Sequence, residues 1–271
     1  MTAGWLMYDV IVVALFAVAA WAVEALCRQV GRPARWAWLV AAAAAVALIA
    51  RSALVAGPST VGALLANASS ATAPTGVAAD WTIMAAVRDA VALTGTAIAS
   101  IAAGAARLIP AWAVAVAAAL WLGASVAAIV VLALVHLRIR RARRAWPEAD
   151  LHGDRVRIAP DVGPAVVGVL RPEIVVPRWL LGCTTEEQRL VLAHEREHLR
   201  GRDHLLLGVG SLVVALVPWH PAVWWMLARL RLAIELDCDA RVLRRGVRAK
   251  DYGTVLIDLA GRCSGFRVGA T

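Results

Sequence analysis

Residues 193–205 read "AHEREHLRGRDHL" and set His194 and His198 four residues apart, with Glu195 directly after the first histidine. On an α-helix a spacing of four puts two side chains on one face, one turn apart, where both imidazoles can hold a single zinc ion. A glutamate beside such a pair can accept a proton from the metal-activated water and return it to a leaving amine, the chemistry of the H-E-x-x-H pattern. Two histidines on the face of a charged surface helix would give the same spacing. A third ligand has to decide between these readings.

The stretch "AIELDCDARVL", residues 233–243, offers one. Glu235 and Asp239 repeat the helical spacing of four. Glu235 could then bind the metal, while Asp239 accepts a hydrogen bond from the far nitrogen of a ligand histidine and fixes its tautomer. An acidic helix face neutralised by Arg241, Arg244 and Arg245 is the alternative.

These residues need elements to position them. "TTEEQRLVLAHEREHLR", residues 184–200, reads as a helix opened by Thr184 with Glu187 three residues on, a capping box. Before it, "RVRIAP" (155–160), "AVVGVL" (165–170) and "EIVVP" (173–177) read as short strands, with Arg171-Pro172 turning between the last two. Pro172 and Pro177 bracket the last run and lack pairing donors. Residues 165–170 are therefore the expected edge for pairing with an extended substrate.

Upstream the chain is of another kind. Of its 271 residues, 61% are hydrophobic and 17% charged, too apolar for a single water-soluble globule. The stretches 10–26, 36–56 and 109–137 are each long enough to cross a hydrocarbon core of roughly 30 Å. They are expected as three transmembrane helices, the first a retained anchor because no basic residue precedes it. Residues 57–108 form the expected external loop, with "NASSATAPTG" (67–76) flexible and 90–106 a surface or partly buried helix. Arg28, Arg32 and Arg35 follow the first span, and Arg138, Arg140, Arg141, Arg143 and Arg144 follow the third. Basic loops favour the cytoplasm, so the N-terminus is expected outside and residues 146–271 inside. The net charge of +9 lies largely at these borders, where it meets the lipid bilayer, and direct nucleic-acid binding is not expected. Cys27, Cys183, Cys238 and Cys263 lack paired spacing and are expected as free thiols.

In order and spacing, "EEQRLVLAHEREHLRGRDHL", "PWHPAVWW" and "ELDCDARVL" resemble the membrane zinc metalloproteases of the BlaR/MecR antirepressor family, and "GVLRPEIVVP" resembles that family's strand hairpin. The resemblance covers about residues 146–260; the helical N-terminal half is similar in layout only. It implies a mostly α membrane protein carrying a small α+β gluzincin-type protease domain, with His194, His198 and Glu235 as Zn2+ ligands and Glu195 as base. It also implies a protein substrate, cytoplasmic or membrane-proximal, of the kind of a winged-helix BlaI/MecI repressor in signal transduction. Asp203 matches a family aspartate and is expected to cap the helix that follows it. No S-x-x-K occurs to supply an acylated serine, so the resemblance is to short members without a penicillin-binding sensor domain. HtpX-like membrane quality-control proteolysis is the second enzymatic reading. A non-catalytic zinc-binding membrane assembly protein is the third, against which Glu195 speaks, because a structural zinc needs no base beside it.

The third ligand bears on topology. Residues 205–226 are long enough for another crossing, yet zinc bonds of about 2 Å require His194, His198 and Glu235 to converge on one side of a bilayer. "PWHP", residues 218–221, is expected to turn the chain back, making 205–230 a re-entrant or membrane-associated hairpin. His220 in that turn reads as a helix contact rather than a ligand.

Overall fold

The computed structural model describes residues 3–54, 81–106, 108–160 and 162–268. The expected flexible stretch at 67–76 and the side chain of Cys263 lie outside what is described.

Among its described residues the apolar N-terminal half forms four long helices, α1 (Ala3–Gln29), α2 (Arg35–Leu54), α3 (Trp81–Ala106) and α4 (Ala111–Ala145). A turn at Gly31, with φ 64°, separates the first two, and Pro110 precedes the fourth. Among the described residues two stretches are long and apolar enough to cross a membrane, Tyr8–Gln29 and Trp112–Ala145, each with mean hydropathy 2.5. Only 6% of the apolar window in the second is buried by protein, a surface suited to lipid. By length and composition both are candidate membrane spans.

Two elements run longer than expected. Residues 81–106 form one continuous helix, α3, lying along α1. Its sequence, rich in alanine and free of proline, favours the helix, and 90–106 is simply its second part. Likewise α4 does not stop at residue 137 but continues through Arg138–Arg144, since arginine is a good helix former. The expected second span is the helix α2, whose inner face (Trp38, Ala41, Ala42, Ala45, Ile49) is buried.

The C-terminal half holds a four-stranded sheet of β1 (Glu148–Leu151), β2 (Asp154–Ala159), β3 (Ala165–Val167) and β4 (Glu173–Pro177), ordered β1-β2-β4-β3. β2 and β4 run parallel and the other pairs antiparallel. β3 is the expected edge but only three residues long, because Gly168, with φ 109°, leaves the extended conformation. A Cβ at Gly168 would come within 2.6 Å of the Arg171 carbonyl oxygen, so the bend requires glycine. Helices α5 (Thr185–Gly201), α6 (Asp203–Leu216), α7 (Pro221–Arg244) and α8 (Ala249–Val268) complete the chain.

Two apolar cores result. Val156, Ile174, Val176, Leu180, Val191 and Leu192 join the sheet to α5. Val13, Trp38, Ala45, Val213, Met226, Leu230 and Ile234 join α1 and α2 to the α6–α7 pair. That pair turns back at 217–220, within the stretch 205–230 where a hairpin was expected. Its turn is fixed by His220, 1% exposed, whose Nδ1 accepts from the Ala222 N–H (3.2 Å) and whose Nε2 donates to the Val10 carbonyl of α1 (3.2 Å). Next to the second core, buried Glu24 of α1 accepts from Trp38 Nε1 (2.9 Å) and Arg229 Nη2 (2.7 Å) and pairs with Arg28. A membrane helix and α7, which carries Glu235, are thus joined by a buried ionic cluster.

Candidate metal centre

α5 begins as its sequence requires. The Thr184 hydroxyl accepts from the Glu187 N–H (3.3 Å), and the Glu187 carboxylate accepts from the Thr184 N–H (2.7 Å). Val191, Leu192 and Glu195 fall on its buried face, which directs Glu195 inward and places His194 and His198 at its margin. The helix ends at Arg202, whose left-handed φ of 54° lets α6 start at the next residue.

His194 Nε2 and His198 Nε2 lie 3.0 Å apart, and Glu235 Oε2, from α7, is 3.6 Å and 3.5 Å from them. Ligand atoms about 2.0–2.1 Å from a tetrahedral zinc ion are roughly 3.3 Å from one another. The three atoms therefore have the spacing that three ligands of one tetrahedral ion would need. Both Nδ1 atoms are engaged elsewhere, which turns the Nε2 lone pairs toward the shared point. His198 Nδ1 donates to Asp203 Oδ2 (2.8 Å). His194 Nδ1 meets the Tyr252 hydroxyl (2.6 Å), which donates in turn to Asp239 Oδ1 (2.7 Å). Asp239 itself is 3.4 Å from His194 Nδ1, so Tyr252 of α8 stands between the carboxylate and the imidazole it was expected to reach directly.

Cys238 also joins this group, within ligand range of both histidines. Its sulfur approaches His194 at Nδ1 (3.7 Å) and donates to the His194 carbonyl (3.5 Å). Tyr252 already holds that Nδ1, whereas Glu235 faces both Nε2 atoms. The carboxylate and the thiol thus approach the two imidazoles from different nitrogens. Cys27, Cys183 and Cys238 are free thiols, as expected.

The expected capping role of Asp203 is corrected. The residue before it caps α6 without any side-chain bond, and the Asp203 carboxylate turns away from the helix end to His198, Arg35 Nη1 (2.7 Å) and Arg241 Nη2 (2.8 Å). Arg35 is the first residue of α2, at the end of the α1–α2 turn. Asp237 of α7 reaches the same turn and accepts from the N–H groups of Ala34 and Arg35 (3.3 and 3.4 Å). Gly201 makes room for this meeting, because a Cβ there would lie 2.8 Å from Asp203 Oδ1 and from Arg241 Nη2.

The electrostatics suit a cation. Burial opposes charge on either imidazole, yet Asp239 at His194, Asp203 at His198, and then Cys238 and Glu235 at both outweigh it and push both histidine pKa values up. Hydrogen bonds from the two histidines hold Glu235 down at about 2. Burial raises Glu195, which is 5% exposed, against the opposing pull of the histidines. Burial and the adjacent Asp239 raise Tyr252, keeping it a neutral donor. The donor set thus fits zinc, with two imidazole nitrogens, one carboxylate and a buried carboxylate of raised pKa alongside.

The centre opens into a cavity of about 450 Å³ lined also by Pro164, Ala165 and Val166 of the β3 edge, by His204 and Leu207 of α6, and by Val255 of α8. Tyr252, Asp203 and Arg35 were not singled out in the sequence as parts of one site. The signals were faint, a lone tyrosine in the polar half and an aspartate five residues after His198.

Two histidines and a carboxylate that converge beside a buried glutamate, at a cavity reaching a strand edge, form a candidate metallopeptidase centre. The chain belongs to the BlaR1 peptidase family M56, whose profile matches residues 5–270. It is also similar to the regulatory protein BlaR1 of Bacillus licheniformis, 30% identical over 82 residues. That stretch is 30% of this chain and 14% of the relative's length.

Proposed function

We propose that this chain is a multi-pass membrane zinc endopeptidase, with a membrane region over 1–145 and a protease domain over 146–271. His194, His198 and Glu235 hold the metal, Glu195 is the general base, and Asp203 and the Tyr252–Asp239 pair orient the two histidines. The observation that carries this reading is the triangle of Nε2, Nε2 and Oε2 atoms at 3.0, 3.5 and 3.6 Å beside buried Glu195.

Zinc held there supplies a Lewis-acid centre that acidifies water and polarises a peptide carbonyl. Glu195, with its pKa raised by burial, accepts the water proton and delivers it to the amine that leaves. The substrate is a cytoplasmic or membrane-proximal protein, by resemblance a BlaI/MecI-like repressor, which would make the chain a signalling protease.

The test is Glu195→Gln. The amide keeps shape but cannot take the proton, so zinc content should stay at one ion per chain while peptide hydrolysis falls by several orders of magnitude. Zinc at full occupancy in Glu235→Ala would remove Glu235 from the ligand set. The proposed orientation has the N-terminus outside, because the arginines at 28–35 and 138–144 flank membrane helices, and it puts the zinc site in the cytoplasm. Cysteine labelling should find residue 70 outside and residues 30, 150, 200 and 240 inside. Labelling 200 and 240 on opposite faces would sink the metal assignment.

A further inference from the structure

A second cavity, of about 520 Å³, lies between the α1–α2 turn and α7. Arg28, Arg32, Arg35, Arg241 and Arg244 line it, against Asp237 as the one acidic residue of its wall. Three of these cations are already engaged, Arg28 with Glu24, Arg35 with Asp203, and Arg241 with Asp203 and Glu197. Arg32 and Arg244 are exposed and have no ion-pair partner among the described residues. Within the wall, Arg35 Nε and both Arg241 Nε and Nη1 are buried donors with no acceptor. The nearest carboxylate oxygens, on Asp237 and Glu197, stand 3.9 and 3.6 Å from the two Nε atoms, too far for a good hydrogen bond.

Five guanidinium groups gathered around a pocket, two of them exposed and without an ion-pair partner among the described residues, match the fork geometry of a phosphate group. Hydrophobic anchoring alone does not account for this arrangement, because border arginines that merely face lipid need no cavity. The pocket adjoins the end of α1, where a membrane helix meets the basic turn, the depth at which phosphate-bearing headgroups occur.

We propose that this cavity binds a phosphate-bearing anion, with Arg32 and Arg244 as the two free ligands at its mouth. Anionic lipid headgroups and free phosphate share this chemistry. The site does not depend on the zinc reading. It does share Arg35 and Arg241 with Asp203, so an occupant would draw on the same cations that hold the aspartate against His198.

The test uses the full chain in detergent. Binding is measured by native mass spectrometry for phosphatidylglycerol and for phosphatidylcholine, and by competition with inorganic phosphate, with zinc content recorded in each sample. Phosphatidylglycerol should bind one per chain, at least tenfold tighter than phosphatidylcholine. Arg32→Ala with Arg244→Ala should lower its affinity roughly tenfold or more, and Arg138→Ala with Arg140→Ala should not. Displacement by millimolar inorganic phosphate would identify free phosphate as a sufficient ligand, while resistance to it would assign the site to the lipid. Undiminished binding in the Arg32/Arg244 variant, or equal loss in the Arg138/Arg140 variant, would overturn the proposal. Because Arg32 and Arg244 hold no zinc ligand, normal zinc content with lost phosphate binding separates this site from the metal centre.

Discussion

His198 rests against Asp203, whose side chain is 2% exposed and clamped by Arg35 and Arg241, while His194 rests against Tyr252 and an Asp239 that is 33% exposed. On the first side the carboxylate is desolvated and surrounded by guanidinium groups from the α1–α2 turn and from α7. On the second, a neutral hydroxyl carries the interaction and the carboxylate behind it still reaches water. The two imidazoles make equivalent bonds at Nδ1, yet removing their partners should have unequal consequences. A buried ion cluster that loses one member leaves uncompensated charge, whereas a half-exposed pair can be replaced by water.

Asp203→Ala should produce the largest effect. It strands Arg35 and Arg241 and frees His198 to turn, so zinc affinity should fall toward 100-fold and stability by about 3–5 kcal/mol. Chelator competition and thermal melting of the metal-free protein measure the two separately. Tyr252→Phe should do less, lowering zinc affinity about tenfold with a stability change on the order of 1 kcal/mol. Equal losses in the two variants would break the comparison and mean that burial does not distinguish the two sides.

Local spacing made part of the site legible. His194, Glu195 and His198, the Thr184 cap, and Glu235 with Asp239 all lie within single helices, where a period of 3.6 residues fixes who shares a face. The turn within the expected 205–230 hairpin was legible for a related reason, since two prolines flanking Trp219 and His220 interrupt an apolar run. The bond from Arg35 to Asp203 spans 168 positions and that from His194 to Tyr252 spans 58, and no periodicity encodes either. β1 and the full length of α3 were missed because a four-residue strand carries almost no pattern and because an apolar stretch rich in alanine does not distinguish a loop-side helix from a membrane one. Asp203 was misjudged because an aspartate at a helix start ordinarily caps it, and only the third dimension brings two arginines and a histidine to the same carboxylate.

The tie from Arg35 to Asp203 also bears on containment. A fragment released from the bilayer by a cut near residue 145 would leave Arg35, Glu24 and the α1–α2 face behind, exposing Val213, Val214, Met226 and Leu230 and loosening the aspartate that steadies His198. A shed 146–271 piece should bind zinc at least tenfold more weakly than the whole chain, a difference equilibrium dialysis can read. The membrane segments would then act as a tether that is also a licence, so that a peptidase cut loose in the cell disarms itself.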